Sequence, residues 1–246
     1  MKIGVIADIH GNAPALEAVL EELPRHEVDL VVQLGDAFNG PIDPVGVARL
    51  LRAVPIAHVR GNGERMILAE DAAERSASAT FARERLSADD LEWIESWPRV
   101  HREAGLLACH GSPRSDVEYL LEHLQAGGGV TRRRPAEVAE ILGADRAGLV
   151  LCGHTHVPGM VRVDARCTVV NPGSVGLPAY ADTVPVSHKM EVGSPEARYA
   201  VVELGGEDGL RVTQFTVPYA VERAAHRAEQ FGFDDWAWTL RTGFAR

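Results

Sequence analysis

Cysteine is scarce in this chain, aromatic residues are few, positive charge is outnumbered, and no apolar run is long. Three cysteines in 246 residues show no paired-ligand spacing, which argues against a disulfide scaffold or a thiolate metal cluster. Cys109 and Cys152 sit inside apolar strand patterns and Cys167 on an expected hairpin; all three read as buried free thiols in a reducing compartment. No stretch approaches the ~20 apolar residues of a membrane-spanning helix. The first apolar run ends at Asp8, too early for a signal peptide, so the expectation is a soluble cytoplasmic protein. Lysine and arginine total 25 against 35 acidic residues, a net charge of −10. Such a surface repels polyanions, and stable nucleic-acid binding is not expected. The one basic cluster, Arg132-Arg133-Arg134, precedes Pro135 and reads as a solvated helix entrance.

What is present is a set of apolar strands that each end in polar residues. Hydrophobic content of 46% and charged content of 24% suit a globular α/β chain with a full core. The run from Ile3 to Ala7 reads as a buried strand and stops at Asp8-Ile9-His10-Gly11-Asn12. In extended backbone, side chains two apart point the same way. Asp8 and His10 are therefore expected to converge while Ile9 turns inward. Val28–Leu34 ends in Gly35-Asp36, Ile56–Val59 in Arg60-Gly61-Asn62, Leu106–Cys109 in His110-Gly111-Ser112, and Gly148–Cys152 in Gly153-His154-Thr155-His156. Ligand sites in open α/β sheets lie beyond the carboxyl ends of strands. Oxygen and imidazole donors gathered there, each beside a glycine, point to a metal site.

Between these strands the spacing predicts helices over 13–23 and 43–52, giving strand–helix alternations that imply parallel crossovers. Residues 64–97 are helical in composition, with Ser87 and Asp90 spaced as a capping box. Helices are also predicted over 116–125 and 135–142, joined by a Gly127-Gly128-Gly129 hinge. One domain over 1–246, with helical insertions at about 64–97 and 114–143, is the resulting expectation. Short β-runs at 160–163, 167–170, 197–204 and 210–217 predict antiparallel pairing. Residues 178–195 lack periodicity and read as a loop. An amphipathic helix is predicted over 218–231, and a second, carrying Trp236 and Trp238, packs back behind it.

The ordered series Asp8-x-His10, Gly35-Asp36, Gly61-Asn62, His110 and Gly153-His154-x-His156 resembles the calcineurin-like metallophosphoesterases. The added Gly11-Asn12, Arg60 and His110-Gly111-Ser112-Pro113 resemble small bacterial phosphodiesterases of that superfamily. The resemblance implies an α/β fold, a four-layer α/β/β/α sandwich of two mixed sheets flanked by helices, with metals at one rim. It implies that Asp8, His10, Asp36 and His156 hold one divalent ion, and that Asp36, Asn62, His110 and His154 hold a second. One carboxylate can span ions about 3.5–4 Å apart, which suits Asp36 to the shared position. A mixed oxygen and imidazole set favours manganese, iron, zinc or cobalt over calcium or magnesium. The implied reaction is hydrolysis of a small phosphoester, a nucleotide or other phosphodiester included. The attacking group is a metal-bridging hydroxide, generated with Asp36, Asn62 and His110.

One position departs from the pattern. In much of the superfamily Gly-Asn is followed by a histidine that helps protonate the leaving oxygen; here Gly63 and then Glu64 follow. Glu64 stays a catalytic candidate but is left without an imidazole to orient, so the pattern does not supply the proton for the leaving oxygen. Asn12 and Arg60 can contact phosphate or brace their loops. His188, in the aperiodic 178–195 segment, is a further substrate-side candidate and an alternative proton donor. Ser112 and the Asn171–Ser174 turn are expected to shape the rim. A non-catalytic regulatory module that keeps the fold is the competing class of function. The pocket walls, at about 64–100, 112–142 and 178–195, carry no motif that names a substrate, and oligomeric state is open.

Overall fold

The computed structural model describes residues 1–103, 105–205 and 209–246. Two five-stranded mixed sheets face each other. The first has the order β14-β13-β1-β2-β3, with β1 (Lys2–Ile6), β2 (Leu30–Gln33) and β3 (Ala57–His58) parallel. β13 (Ala197–Leu204) and β14 (Leu210–Val217) extend it antiparallel on the β1 side. The second has the order β4-β5-β8-β10-β9: β5 (Leu106–Cys109), β8 (Leu149–Leu151) and β10 (Thr168–Asn171) are parallel, edged by β4 (Val100–Glu103) and β9 (Gly159–Arg162) running the other way.

Side-chain alternation assigns the layers. Ile3 and Val5 of β1, and Ala7 just after it, point between the sheets, against Leu106, Ala108, Leu149, Leu151 and Val170. Ile6 faces the other way, onto Leu16 and Val19 of α1 (Ala13–Glu22) and Val47 and Leu51 of α2 (Pro44–Arg52). On the far side of the second sheet, Leu107, Val150 and Val169 pack on Val138 and Leu142 of α6 (Pro135–Leu142). Central strands buried on both faces explain the unbroken apolar runs, each buried aliphatic side chain being worth roughly 1.5–3 kcal/mol. The register also positions the site. Ile6 pairs with Gln33, and Ala108 and Val170 both pair with Leu151, so the carboxyl ends lie level along one rim.

The remaining elements depart from expectation in two places. Residues 64–97 are helical as read: α3 (Asn62–Leu68), α4 (Ala77–Arg83) and α5 (Ala88–Glu95), the last opened by the Ser87–Asp90 capping box. The helix expected over 116–125, part of the 114–143 insertion, is instead a turn followed by a hairpin of β6 (Glu122–Leu124) and β7 (Val130–Arg132). The three glycines form its turn, Gly128 at φ +81°, with Gln125 and Gly129 bonded across it. The apolar spacing that suggested a helix belongs to Leu120 and Leu121, which anchor the segment on the second sheet. The supposed loop 178–195 contains a hairpin, β11 (Ala179–Asp182) with β12 (His188–Glu191). Burial alternates along β12, with His188 and Met190 inward and Lys189 and Glu191 exposed, but a polar histidine at an inward position hides the alternation in the sequence. At the carboxyl end, α7 (Val221–Gln230) and α8 (Asp234–Thr242) pack on each other and on Ile42. No helix among the described residues is long and apolar enough to cross a membrane. The three cysteines are buried and free.

Candidate metal centre

The loops at the rim are laced to one another by backbone bonds. Asp8 N–H donates to Gly35 O, His10 to Asp36 O and Gly11 to Ala37 O, while Val175 and Gly176 donate to Ala7 and Asp8 carbonyls. The strand-based reason for the convergence of Asp8 and His10 does not hold. β1 ends at Ile6, and both residues lie in the left-handed region, at φ 54° and 51°. Asp36, His154 and His156 do the same, so five of the six described non-glycine residues with positive φ are candidate ligands. Asp, Asn and His tolerate this region better than branched residues, at a cost of about 1–3 kcal/mol each. The left-handed step turns each side chain out of the strand line and into the rim. Gly35, at φ +101°, has no room for a Cβ, which would meet Gly61 and the His110 ring at 2.7–2.8 Å.

Three imidazoles are locked in one tautomer. Nδ1 of His10 donates to Asn39 O at 3.2 Å, Nδ1 of His110 to Leu34 O at 2.8 Å, and Nδ1 of His156 to Leu177 O at 2.6 Å. A carbonyl only accepts, so each neutral ring carries its proton on Nδ1 and turns a lone pair from Nε2 toward the centre. There the acceptors face one another. His10 Nε2 and His156 Nε2 are 3.0 Å apart, and His110 Nε2 lies 3.0 Å from Asn62 Oδ1 and 3.4 Å from Asp36 Oδ1. Asp36 turns its second oxygen to His10 Nε2 at 3.9 Å, and Asp8 Oδ1 is 3.6 Å from His156 Nε2. Asp8 Oδ1 is buried with no hydrogen-bond partner among the described residues.

The donors group as Asp8, His10 and His156, and as Asp8, Asp36 and His110, within 4.8 Å in each group. Buried lone pairs pointing at each other are mutually repulsive, and a cation between them reverses the sign of every contact. The donor set therefore fits a bound divalent metal. His154 stands slightly apart. Its ring centre is 4.9 Å from that of His110, it lines the same cavity, and its backbone N–H donates to Asp8 Oδ2.

Burial dominates the electrostatics. It pushes Asp8 well above the carboxylate range, His156 well below the usual imidazole value and His154 down to about 3. His10 is likewise lowered by burial. Burial works against ionised Asp36 and against the imidazolium of His110. Their mutual attraction, with His10 and Asp8 contributing, overcomes it and leaves Asp36 lowered and His110 raised.

Glu64 has a definite place. Its Oε2 accepts from Asp36 N–H at 2.8 Å and Gly61 N–H at 2.9 Å, and its Oε1 from Ala37 N–H at 2.7 Å. It clamps the Asp36 loop to the start of α3 rather than reaching toward substrate, and no imidazole is needed to orient it. Burial and the nearby Asp36 charge push its carboxyl up to about 7, against the pull of those N–H groups.

Asn12 is fully buried; it caps α1 through Ala15 N–H and donates to Gly176 O and Tyr219 Oη, so it braces its loop. Arg60 reaches the Glu95 carbonyl at 3.4 Å, at the end of α5. His188 is buried behind Tyr119, with Nε2 at 2.9 Å from Tyr119 Oη and Nδ1 at 2.7 Å from Val186 O, so both ring nitrogens are engaged. Ser174 Oγ donates to Asp8 O, and Asn171 Nδ2 to Gly153 O, as expected of residues that shape the rim.

Several residues at the site carry no sequence signal. A cavity of about 260 Å³ is lined by His10, Asp36, Asn39, His154, Tyr180 and Trp236. Trp236 comes from α8, its ring 5.8 Å from His10, and Tyr180 comes from the β11 hairpin, 4.7 Å from His156. Asn39 precedes Gly40-Pro41 and reads in sequence only as part of a turn. Beside this cavity a second, of about 580 Å³, runs from Asn62 and His154 out to Tyr119, Arg133 and Val184. A larger apolar cavity of about 660 Å³ lies at the amino ends of β2 and β3, away from every candidate ligand.

A two-sheet sandwich with buried oxygen and imidazole donors on one rim defines a metal-binding phosphoesterase scaffold. Residues 1–189 match the calcineurin-like phosphoesterase superfamily domain, and the chain belongs to that superfamily. It is similar to a metallophosphoesterase of Sphaerobacter thermophilus, with 27% identity, a TM-score of 0.75 and 99% of each chain covered. A hypothetical protein of Pyrococcus horikoshii shares the fold at 18% identity and a TM-score of 0.76, covering 100% of this chain and 99% of its own. An uncharacterised protein of Methanocaldococcus jannaschii is 21% identical over 95% of this chain and 94% of its own.

Proposed function

We propose that this protein is a dinuclear metal-dependent phosphoesterase acting on a small phosphoester, with a nucleotide or other phosphodiester as the favoured class. The observation that carries the reading is the facing of His10 Nε2 and His156 Nε2 at 3.0 Å, each proton held on the far nitrogen by a backbone carbonyl. Asp8, His10, Asp36 and His156 would hold one ion, and Asp36, Asn62, His110 and His154 the other. Asp36 suits the bridging place because its two oxygens face different histidines, Oδ2 toward His10 and Oδ1 toward His110. Manganese, iron, zinc or cobalt suits this donor set.

Two bound divalent ions would lower the pKa of water toward neutrality and draw charge off the phosphoryl oxygens. The chain's own residues do the rest. The carbonyls of Asn39, Leu34 and Leu177 fix the imidazoles, Glu64 fixes the loop that carries Asp36, and Tyr180 and Trp236 line the cavity. Three buried thiols suit a reducing, cytoplasmic setting. The test is hydrolysis of bis(p-nitrophenyl) phosphate by the purified protein, before and after chelation and on return of manganese. Loss and recovery of turnover are expected; undiminished turnover in chelator would remove the metal from the reaction.

A further inference from the structure

Asn39 is the least explained polar side chain at the rim. Its main chain is fixed on both sides. Glu64 holds the N–H groups of Ala37 and Phe38, and the Asn39 carbonyl takes the Nδ1 proton of His10. Its side chain is 5% exposed and lines the cavity that holds His10, Asp36, Asn62, His154 and His156. Yet Oδ1 is buried with no hydrogen-bond partner among the described residues. Buried amides are nearly always paired, and leaving one unpaired is costly. The amide's two ends exchange by rotation about its last torsion, so either the NH₂ or the oxygen can face the cavity.

Gly63 supplies a second observation. A Cβ built on Gly63 would overlap the Asn39 amide itself. A side chain at 63 would thus begin in the space that Asn39 fills. Gly63 N–H in turn donates to Asp36 Oδ1 at 2.6 Å, which puts the Asn39 amide one residue from the carboxylate at the centre of the site. The glycine at 63 and the asparagine at 39 are two halves of one arrangement, in which a neutral amide reached from a different loop takes the place of a side chain on α3.

Resting on the phosphoesterase reading above, we propose that Asn39 is a substrate-contacting residue whose side-chain NH₂ donates a hydrogen bond to an oxygen of the bound phosphoester and strengthens that bond as negative charge develops. An amide does not give up a proton at any working pH. The group therefore stabilises charge without protonating the leaving oxygen, and the amide is unchanged at the end of the cycle. Hydrogen bonds aimed at developing charge gain most in a buried site.

The experiment compares wild type with Asn39→Ala and Asn39→Asp, all loaded with manganese, on aryl phosphodiesters of graded leaving-group pKa. Metal content and the affinity for inorganic phosphate, by calorimetry, are measured alongside. Loss of one such donor is expected to lower kcat by about 10²-fold. Phosphate affinity should fall with it while the metal content stays at the wild-type value. Asn39→Asp, of the same shape but with no donor and a repelling charge, should be at least as impaired as Asn39→Ala. Gly63→Ala should impair wild type by displacing the amide, and add little in the Asn39→Ala background.

Variants that keep wild-type kcat and phosphate affinity, with metals bound, would overturn the assignment. So would loss of metal in Asn39→Ala, which would make the side chain a support for the ligands. A metal-loaded wild type that neither hydrolyses the esters nor binds phosphate would instead sink the phosphoesterase reading itself, and this assignment with it.

Discussion

The rim of strand ends and the wall of hairpins beside it are built on opposite terms. At the rim, backbone strain, burial and fixed tautomers all converge on a few atoms. Asp8, His10, Asp36, His154 and His156 adopt positive φ, and three histidines are pinned by carbonyls. The wall, from the β6–β7 and β11–β12 hairpins, has ordinary strands, exposed Val117 and Val184, and a cavity of about 580 Å³ that meets the rim at Asn62 and His154. The rim must supply particular donor atoms at particular places. The wall needs only a shape, which many sequences can make. On the proposed function, chemistry would be concentrated in the first region and the choice of substrate would fall to the second.

The comparison is broken most severely at Asp36. Asp36→Asn keeps the shape and one oxygen but removes the charge that both ions would share. Metal-derived stabilisation of several kcal/mol implies a loss of turnover of about 10³-fold or more. A steady-state assay at saturating manganese checks it, and near-wild-type turnover would remove Asp36 from the bridging position.

A smaller effect is expected from Glu64→Gln, because Glu64 acts through the Asp36 loop. Its NH₂ would face one of the backbone N–H groups of Asp36, Ala37 or Gly61 that the carboxylate now accepts from. Losing a support of this kind costs about 10–100-fold in metal affinity or activity. Excess manganese should restore part of the turnover, which it would not do for a residue that touches substrate.

The same contrast explains what the sequence disclosed. The strand-end candidate donors are legible in the sequence, because donor residues beside glycines after apolar runs have a chemical reason to be there. The reason for their convergence was not. Extended geometry predicts that Asp8 and His10 point together, and the structure achieves it through left-handed residues that no periodicity reveals. Glu64 looked orphaned because its partners are backbone N–H groups, invisible in a residue string. Residues 116–125, which run into the β6–β7 hairpin, read as a helix because Leu120 and Leu121 are spaced for burial without a strand alternation. Trp236 lies more than 200 positions from His10 and beyond the 1–189 family match, so only tertiary structure brings the two together.

The mildest change belongs to the wall. Arg133 lines the cavity of about 580 Å³ beside the rim and donates from Nε to Tyr119 O at 3.2 Å. Arg133→Ala is expected to raise KM for a nucleoside 5′-p-nitrophenyl phosphate by about tenfold, roughly one charge-assisted contact, and to leave kcat within about twofold. Hydrolysis of bis(p-nitrophenyl) phosphate should change less. Equal losses on both substrates, carried by kcat, would place Arg133 with the rim and erase the distinction.

The central claim, that the rim is a two-ion site, is tested most directly by counting metal. Protein stripped with chelator, reloaded with manganese and freed of excess should hold about two ions per chain by elemental analysis, one for each of the two donor groups at the rim, Asp8–His10–His156 and Asp8–Asp36–His110. His10→Ala and His110→Ala should each lose one site more readily than the other. A stoichiometry of one, unchanged across manganese, zinc and cobalt, would contradict the shared role of Asp36 and the account built on it.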